Sequence, residues 1–348
     1  MIKLIWRQFT IGFLLMLATS MLGFVSWRAI GARIAPDSLP QEEIVRAPGA
    51  ALDEKTGLPT RIVHRASGIE LILIPAGEFL MGSPADEVGR GRRENQHRRV
   101  IRQPFYLGET EVTVAQFRKF VQATKYETDA ERGVNEGGHA KGAFATTPDG
   151  KDPREWVAAA NWRNPFPSLK DYRLNDRHPV VQVSWNDARR FVEHYGLRLP
   201  TEAQWEYAAR AGSRTRFFWG ETECEGQGFG NVRDSSGQRR FPSWGLAFPF
   251  DDGVALISVV GRYRPNAWGV RDLIGNVSEW CEDAYREYPA EGGDEAAQGA
   301  SEAARVMRGS SWLDAPDFSR SAKRLGFAPQ GRRDFVGFRV ALQAASVK

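Results

Sequence analysis

Two cysteines, Cys224 and Cys281, and five histidines, His64, His97, His139, His178 and His194, are the softer donors in this chain of 348 residues. None shows the paired spacing of a zinc site. An oxidising compartment would let Cys224 and Cys281 form a disulfide; two buried free thiols are the other reading. Asp314 and Asp317 stand three apart near a turn, placed either for acid–base work or simply as turn residues. Basic side chains cluster twice. Arg90, Arg92, Arg93, Arg98, Arg99 and Arg102 follow Glu87, and Lys323, Arg324, Arg332 and Arg333 lie between Arg320 and Arg339. Both runs read as solvated faces, with an acidic ligand or partner as the sharper alternative.

The elements that must hold these groups are short. With 42% hydrophobic and 26% charged residues, the chain is neither disordered, collagenous nor coiled-coil. Its 35 Gly, 19 Pro and 11 Trp point to a loop-rich body whose irregular backbone packs on large aromatics. A net charge of +4 makes too weak a field to imply nucleic acid.

Lys3 and Arg7 precede an apolar run from Ile11 to Trp27. As helix that run spans about 26 Å, marginal for a hydrocarbon core of about 30 Å. Residues 1–35 are therefore expected to be a signal peptide or a membrane anchor acting through residues 11–27. The body is then periplasmic, either soluble after cleavage or anchored to the inner membrane. Residues 36–60 mix Pro, Ala, Glu and Asp without period and read as a linker; residues 61–348 read as one domain.

Within the body, Glu70–Pro75, Phe79–Ser83, Phe105–Val112 and His178–Ser184 read as strands. Thr113 fits an N-cap before the helical stripe Val114, Phe117, Phe120 and Val121. Ser184 fits a second cap, before Ala188, Phe191, Val192 and Tyr195, with Gly196 as the stop. Thr201 and Gln204 form a capping box that opens a helix burying Trp205, Ala208 and Ala209 and ending at Gly212. Residues 131–167 show no period and read as a long surface-shaping loop. Trp185, Trp205, Trp268, Trp280 and Trp312 read as core packing. Arg308, Arg324 and Arg339 read as partners for core carboxylates or as groove residues.

A series of landmarks follows in fixed order: Ile74–Ser83, Glu111–Thr113, His178–Val180, Arg198–Gly212, Asn266–Trp280, Arg308–Trp312 and Gly337–Arg339. In these, over about residues 65–343, the chain resembles the formylglycine-generating-enzyme (sulfatase-modifying-factor) domain family. The resemblance implies an α+β, C-type-lectin-like fold with little regular secondary structure. It also implies that a copper-binding cysteine pair should follow the Gly-Gly-Ser-aromatic segment, here Gly309-Ser310-Ser311-Trp312, about three and eight residues after the Ser. Asp314 and Ser319 occupy those positions. Neither offers the thiolate that soft Cu(I) prefers, so no copper and no formylglycine-forming activity are expected. Trp312, Asp314, Ser319 and Arg324 would line the remaining groove.

The same resemblance implies two structural Ca²⁺ sites, one at Asn231, Val232, Asp252 and Val254, the other at Asp272, Gly275, Val277 and Glu279. Both offer hard oxygen donors of the kind Ca²⁺ takes. Family members without the cysteine pair imply an exported accessory or regulatory module that binds an envelope protein, such as a regulator upstream of a type VI secretion Ser/Thr kinase. A periplasmic maturation enzyme of another chemistry, such as siderophore chromophore formation, is the alternative the family implies.

Overall fold

The computed structural model describes residues 43–148, 155–288 and 304–347. The expected signal or anchor segment, with its apolar run 11–27, lies outside the described residues. Among the described residues no helix is long and apolar enough to cross a membrane.

Short apolar runs broken by turn residues make short strands. In chain order they are β1 (Ile44–Arg46), β2 (Arg61–His64), β3 (Ile69–Ile74), β4 (Gly77–Met81), β5 (His97–Ile101) and β6 (Phe105–Gly108). Helices α1 (Val114–Thr124) and α2 (Asp129–Arg132) follow, then β7 (Ala143–Ala145) and β8 (Glu155–Val157). Helices α3 (Trp185–His194), α4 (Glu202–Arg210) and α5 (Ser235–Arg240) lead into β9 (Ser278–Ala284). The chain closes with β10 (Arg305–Arg308), β11 (Arg324–Phe327), β12 (Val336–Gly337) and β13 (Ala341–Gln343).

Five strands form a sheet in the order β1-β2-β3-β6-β13, every pair antiparallel. Four more form β11-β10-β9-β12, in which β12 runs parallel to β9. The hairpins β4-β5 and β7-β8 stand apart as two-stranded sheets.

The helix starts follow the local chemistry. Thr113, Ser184 and Thr201 each accept from the backbone amide three residues on, and the third residue's side chain returns a bond to the cap. Val114, Phe117, Phe120 and Val121 of α1 are buried against Phe191 of α3, Trp162 and Phe338. Each such side chain contributes about 1.5–3 kcal/mol of burial. A second core places Trp205 and Ala208 of α4 under Ile74, Met81, Phe105 and Cys281.

Several expectations need correcting. Residues 43–60 are not a free linker: β1 pairs with β2, and Ala47 and Ala50 are buried. The run 178–184 is not a strand, because Gln182 takes φ +59° and turns the chain so that its amide reaches the carbonyls of Phe144 and Pro165. The segment 320–339 is no solvated face. Arg320, Arg324, Arg332 and Arg339 are all buried, each with a carboxylate partner.

Candidate functional site

Helix α4 carries two acids into the interior. Glu206 is fully buried and accepts from the Gly82 amide at 2.9 Å, from Arg210 Nε at 2.8 Å and from Arg308. Burial alone would raise its pKa, but Arg308 and Arg210 hold it below the ordinary value. Glu202 receives a two-pronged contact from Arg324, at 2.7 and 2.6 Å. Arg324 is therefore a core residue, which corrects its expected place in a groove.

Beside this network lies a second buried polar chain. Asn276 sits at φ +59° and connects four segments. Its backbone amide donates to Asn231 O at 2.7 Å, and its Nδ2 donates to Glu111 Oε1 at 3.0 Å. Its Oδ1 accepts from the Ser258 amide at 2.8 Å and from Asn231 Nδ2 at 3.2 Å. Gly275 makes this approach possible, since a Cβ there would stand 2.3 Å from Asn231 O. Glu111 Oε2, Asp272 Oδ1 and Asn231 Oδ1 are buried and have no hydrogen-bond partner among the described residues. Burial, then the charge of Asp272, pushes the Glu111 carboxyl well up. Burial likewise raises Asp272 to about 6. Sequence reasoning assigned no side-chain role to Glu111 or Asn276, although both stand inside quoted landmarks.

The two expected Ca²⁺ sets differ when tested on this geometry. In the second set Glu279 is consumed: Trp205 Nε1 donates to it at 2.7 Å, and Arg339 donates twice, at 2.6 Å each. Arg339 already supplies positive charge at Glu279, which makes the second set, Asp272, Gly275, Val277 and Glu279, the poorer match to a divalent ion. In the first set Asn231 keeps a buried Oδ1 without a partner among the described residues. Asp252 accepts one bond on each oxygen, from the Val254 amide at 2.7 Å and from Tyr263 Oη at 2.6 Å, which leaves further lone pairs. Burial raises its carboxyl to about 6. These hard oxygens, with the Val232 and Val254 carbonyls, fit Ca²⁺. Among the described residues no three His, Cys, Asp or Glu side chains converge as a metal cluster.

Asp314 and Ser319 flank the 3₁₀ turn Pro316–Phe318. Asp314 Oδ2 accepts from Ser311 Oγ at 2.6 Å, and buried Ser319 donates to the Ala315 carbonyl at 3.2 Å. Asp317 is the ion-pair partner of Arg216 at 2.6 Å, not an unengaged acid. Trp312 does not line a groove. It is buried among Phe166, Phe241 and Trp244 and donates to Asp334 O at 3.4 Å. Two surface clefts, of about 320 and 290 Å³, open elsewhere, and neither is lined by Trp312, Asp314, Ser319 or Arg324.

The expected disulfide is also absent. Cys224 is exposed in the 3₁₀ turn Glu223–Gly226, whereas Cys281 is buried in β9, and both are free. Burial raises the Cys281 thiol well above its ordinary value, so it is a poor thiolate.

Comparison with known proteins agrees with the landmarks. The sulfatase-modifying factor enzyme 1-like domain matches residues 60–344, and the chain belongs to that family. It is 38% identical over 292 residues to the formylglycine-generating enzyme of Streptomyces coelicolor, covering 78% of this chain and 89% of that protein. It is 33% identical over 302 residues to the inactive C-alpha-formylglycine-generating enzyme 2 of Mus musculus, covering 80% and 87%. The solved structure of PvdO from Pseudomonas aeruginosa shares the fold, with a TM-score of 0.58 and 29% identity over 82% of this chain and 98% of that one. The expected fold class, α+β with little regular secondary structure, stands.

Proposed function

We propose that this chain is an exported, calcium-stabilised member of the family that does not generate formylglycine and serves as an accessory or regulatory binding module in the cell envelope. The observation that carries the reading is the pair Asp314 and Ser319 where copper chemistry needs two thiolates. The buried ion pairs around Glu206 and Glu279 keep the framework rigid without that chemistry. Likeness to an inactive relative supports the same reading. In its finer form, the module binds an envelope protein and itself acts upstream of a type VI secretion Ser/Thr kinase.

The test has two arms. Purified protein loaded with Cu(I) and incubated in air with a cysteine-containing sulfatase peptide is expected to yield no aldehyde by mass spectrometry. Cross-linking of the full chain in intact envelopes is expected to trap one reproducible protein, and deleting the chain to lower phosphorylation by the kinase. Aldehyde formation would overturn the first part; no reproducible cross-link would overturn the second.

A further inference from the structure

The cleft of about 320 Å³ lies between the β4-β5 hairpin and the C-terminal end of α4, and no residue discussed above as a metal or copper position lines it. One side of it is aromatic. Tyr207 and Trp268 meet edge to face with centroids 4.8 Å apart, and Phe79 leans on Tyr207 at 5.2 Å. Three rings fixed against one another offer a flat ligand both a face and an edge. At the rim Arg214 is exposed, whereas Tyr207 is buried with its hydroxyl against Gly77, where a Cβ would stand 2.4 Å from it.

The charge of the lining is lopsided. Arg98 pairs with Glu78 across the hairpin, and Arg210 is spent on Glu206, Gly82 O and Thr215 O. That leaves Arg214 as an uncompensated cation at the mouth. The smaller cleft differs, because there Asp251 and Asp252 face Arg262 and Arg264. A volume of 320 Å³ is at the lower end of the range for small-ligand pockets.

We infer that this cleft binds a small planar aromatic carboxylate. The ring lies against Trp268 and Tyr207, and the carboxylate meets the Arg214 guanidinium. The assignment is independent of the envelope-module reading, since it concerns a different face and ligand.

Phenylacetate is the probe, and neutral phenylacetamide is its isosteric control. Isothermal titration of the full chain is expected to show phenylacetate binding about tenfold or more tighter than phenylacetamide, the usual effect of adding a charged hydrogen bond. Arg214→Gln, a surface change that leaves the fold intact, is expected to abolish that preference while ring binding persists. Trp268→Leu is expected to weaken both probes together. Equal affinity for the two probes, no binding of either, or an unchanged preference in Arg214→Gln would each overturn the assignment.

Discussion

Arg339 holds both carboxylate oxygens of Glu279 with two bonds of 2.6 Å, and neither side chain is exposed to solvent. The same guanidinium donates to the carbonyls of Gly108, Glu109, Arg271 and Asp272. One cation thus ties β6, the 271–272 turn and β9 together, the task expected of an ion at the second calcium set. Breaking a buried pair from one side leaves an uncompensated charge, which costs about 3–5 kcal/mol. Arg339→Met and Glu279→Gln are each expected to lower the unfolding free energy by that amount, read as a fall in the urea midpoint at unchanged slope, with strong non-additivity in the double variant. If calcium restored the stability of Glu279→Gln, the assignment of Glu279 to Arg339 would be wrong.

The missing thiolates make a sharper prediction by gain than by loss. In a Cys224→Ser background, Asp314→Cys with Ser319→Cys is expected to acquire Cu(I) binding in competition with a chelator, whereas the parent binds none at that strength. Cys281 will not confuse the measurement, since it is buried and its thiol is held protonated. Strong Cu(I) binding by the Cys224→Ser parent would show that other groups replace the thiols.

Calcium stabilisation is expected to depend on the first set alone. Saturating Ca²⁺ at about 100 times its Kd adds about 2.7 kcal/mol to a protein that binds it only when folded. The thermal midpoint is expected to rise with Ca²⁺, and the rise to vanish in Asn231→Ala and Asp252→Asn. It is expected to persist in Asp272→Asn, which keeps an oxygen donor outside the set that fits. A calcium response unaffected by Asn231→Ala would refute this placement.

Local chemistry was readable and long-range pairing was not. Thr113, Ser184 and Thr201 announce their helices because cap and partner lie three residues apart. Arg308 and Glu206 are separated by 102 residues, and Arg320 and Glu94 by 226, so no spacing reveals them. The arginine-rich tail looked solvated because charge is normally exposed, yet here each buried arginine has a distant acid or carbonyl. The family landmarks gave the fold correctly, but a motif names a position without saying what faces it. Glu279 matches the calcium pattern and faces Arg339 instead. Trp312 matches the edge of a groove and lies in the core.

The last prediction concerns pH. Asp334 is fully buried; its Oδ2 accepts from the Thr146 amide at 2.6 Å, and its Oδ1 has no partner among the described residues. Burial raises its carboxyl to about 7. The unfolded chain gives up this proton near pH 4, as an ordinary aspartate does. Between about pH 4 and 7 the folded state therefore holds the proton that the unfolded state has lost, and stability falls as pH rises. Asp334→Asn keeps the acceptor for Thr146 and removes the titration. Relative to the parent, the variant is expected to gain about 2–3 kcal/mol between pH 5 and pH 8, read from urea midpoints at the two values. A parent and variant that track each other across that interval would show that Asp334 is ionised at both ends, with its charge met by a group other than Thr146.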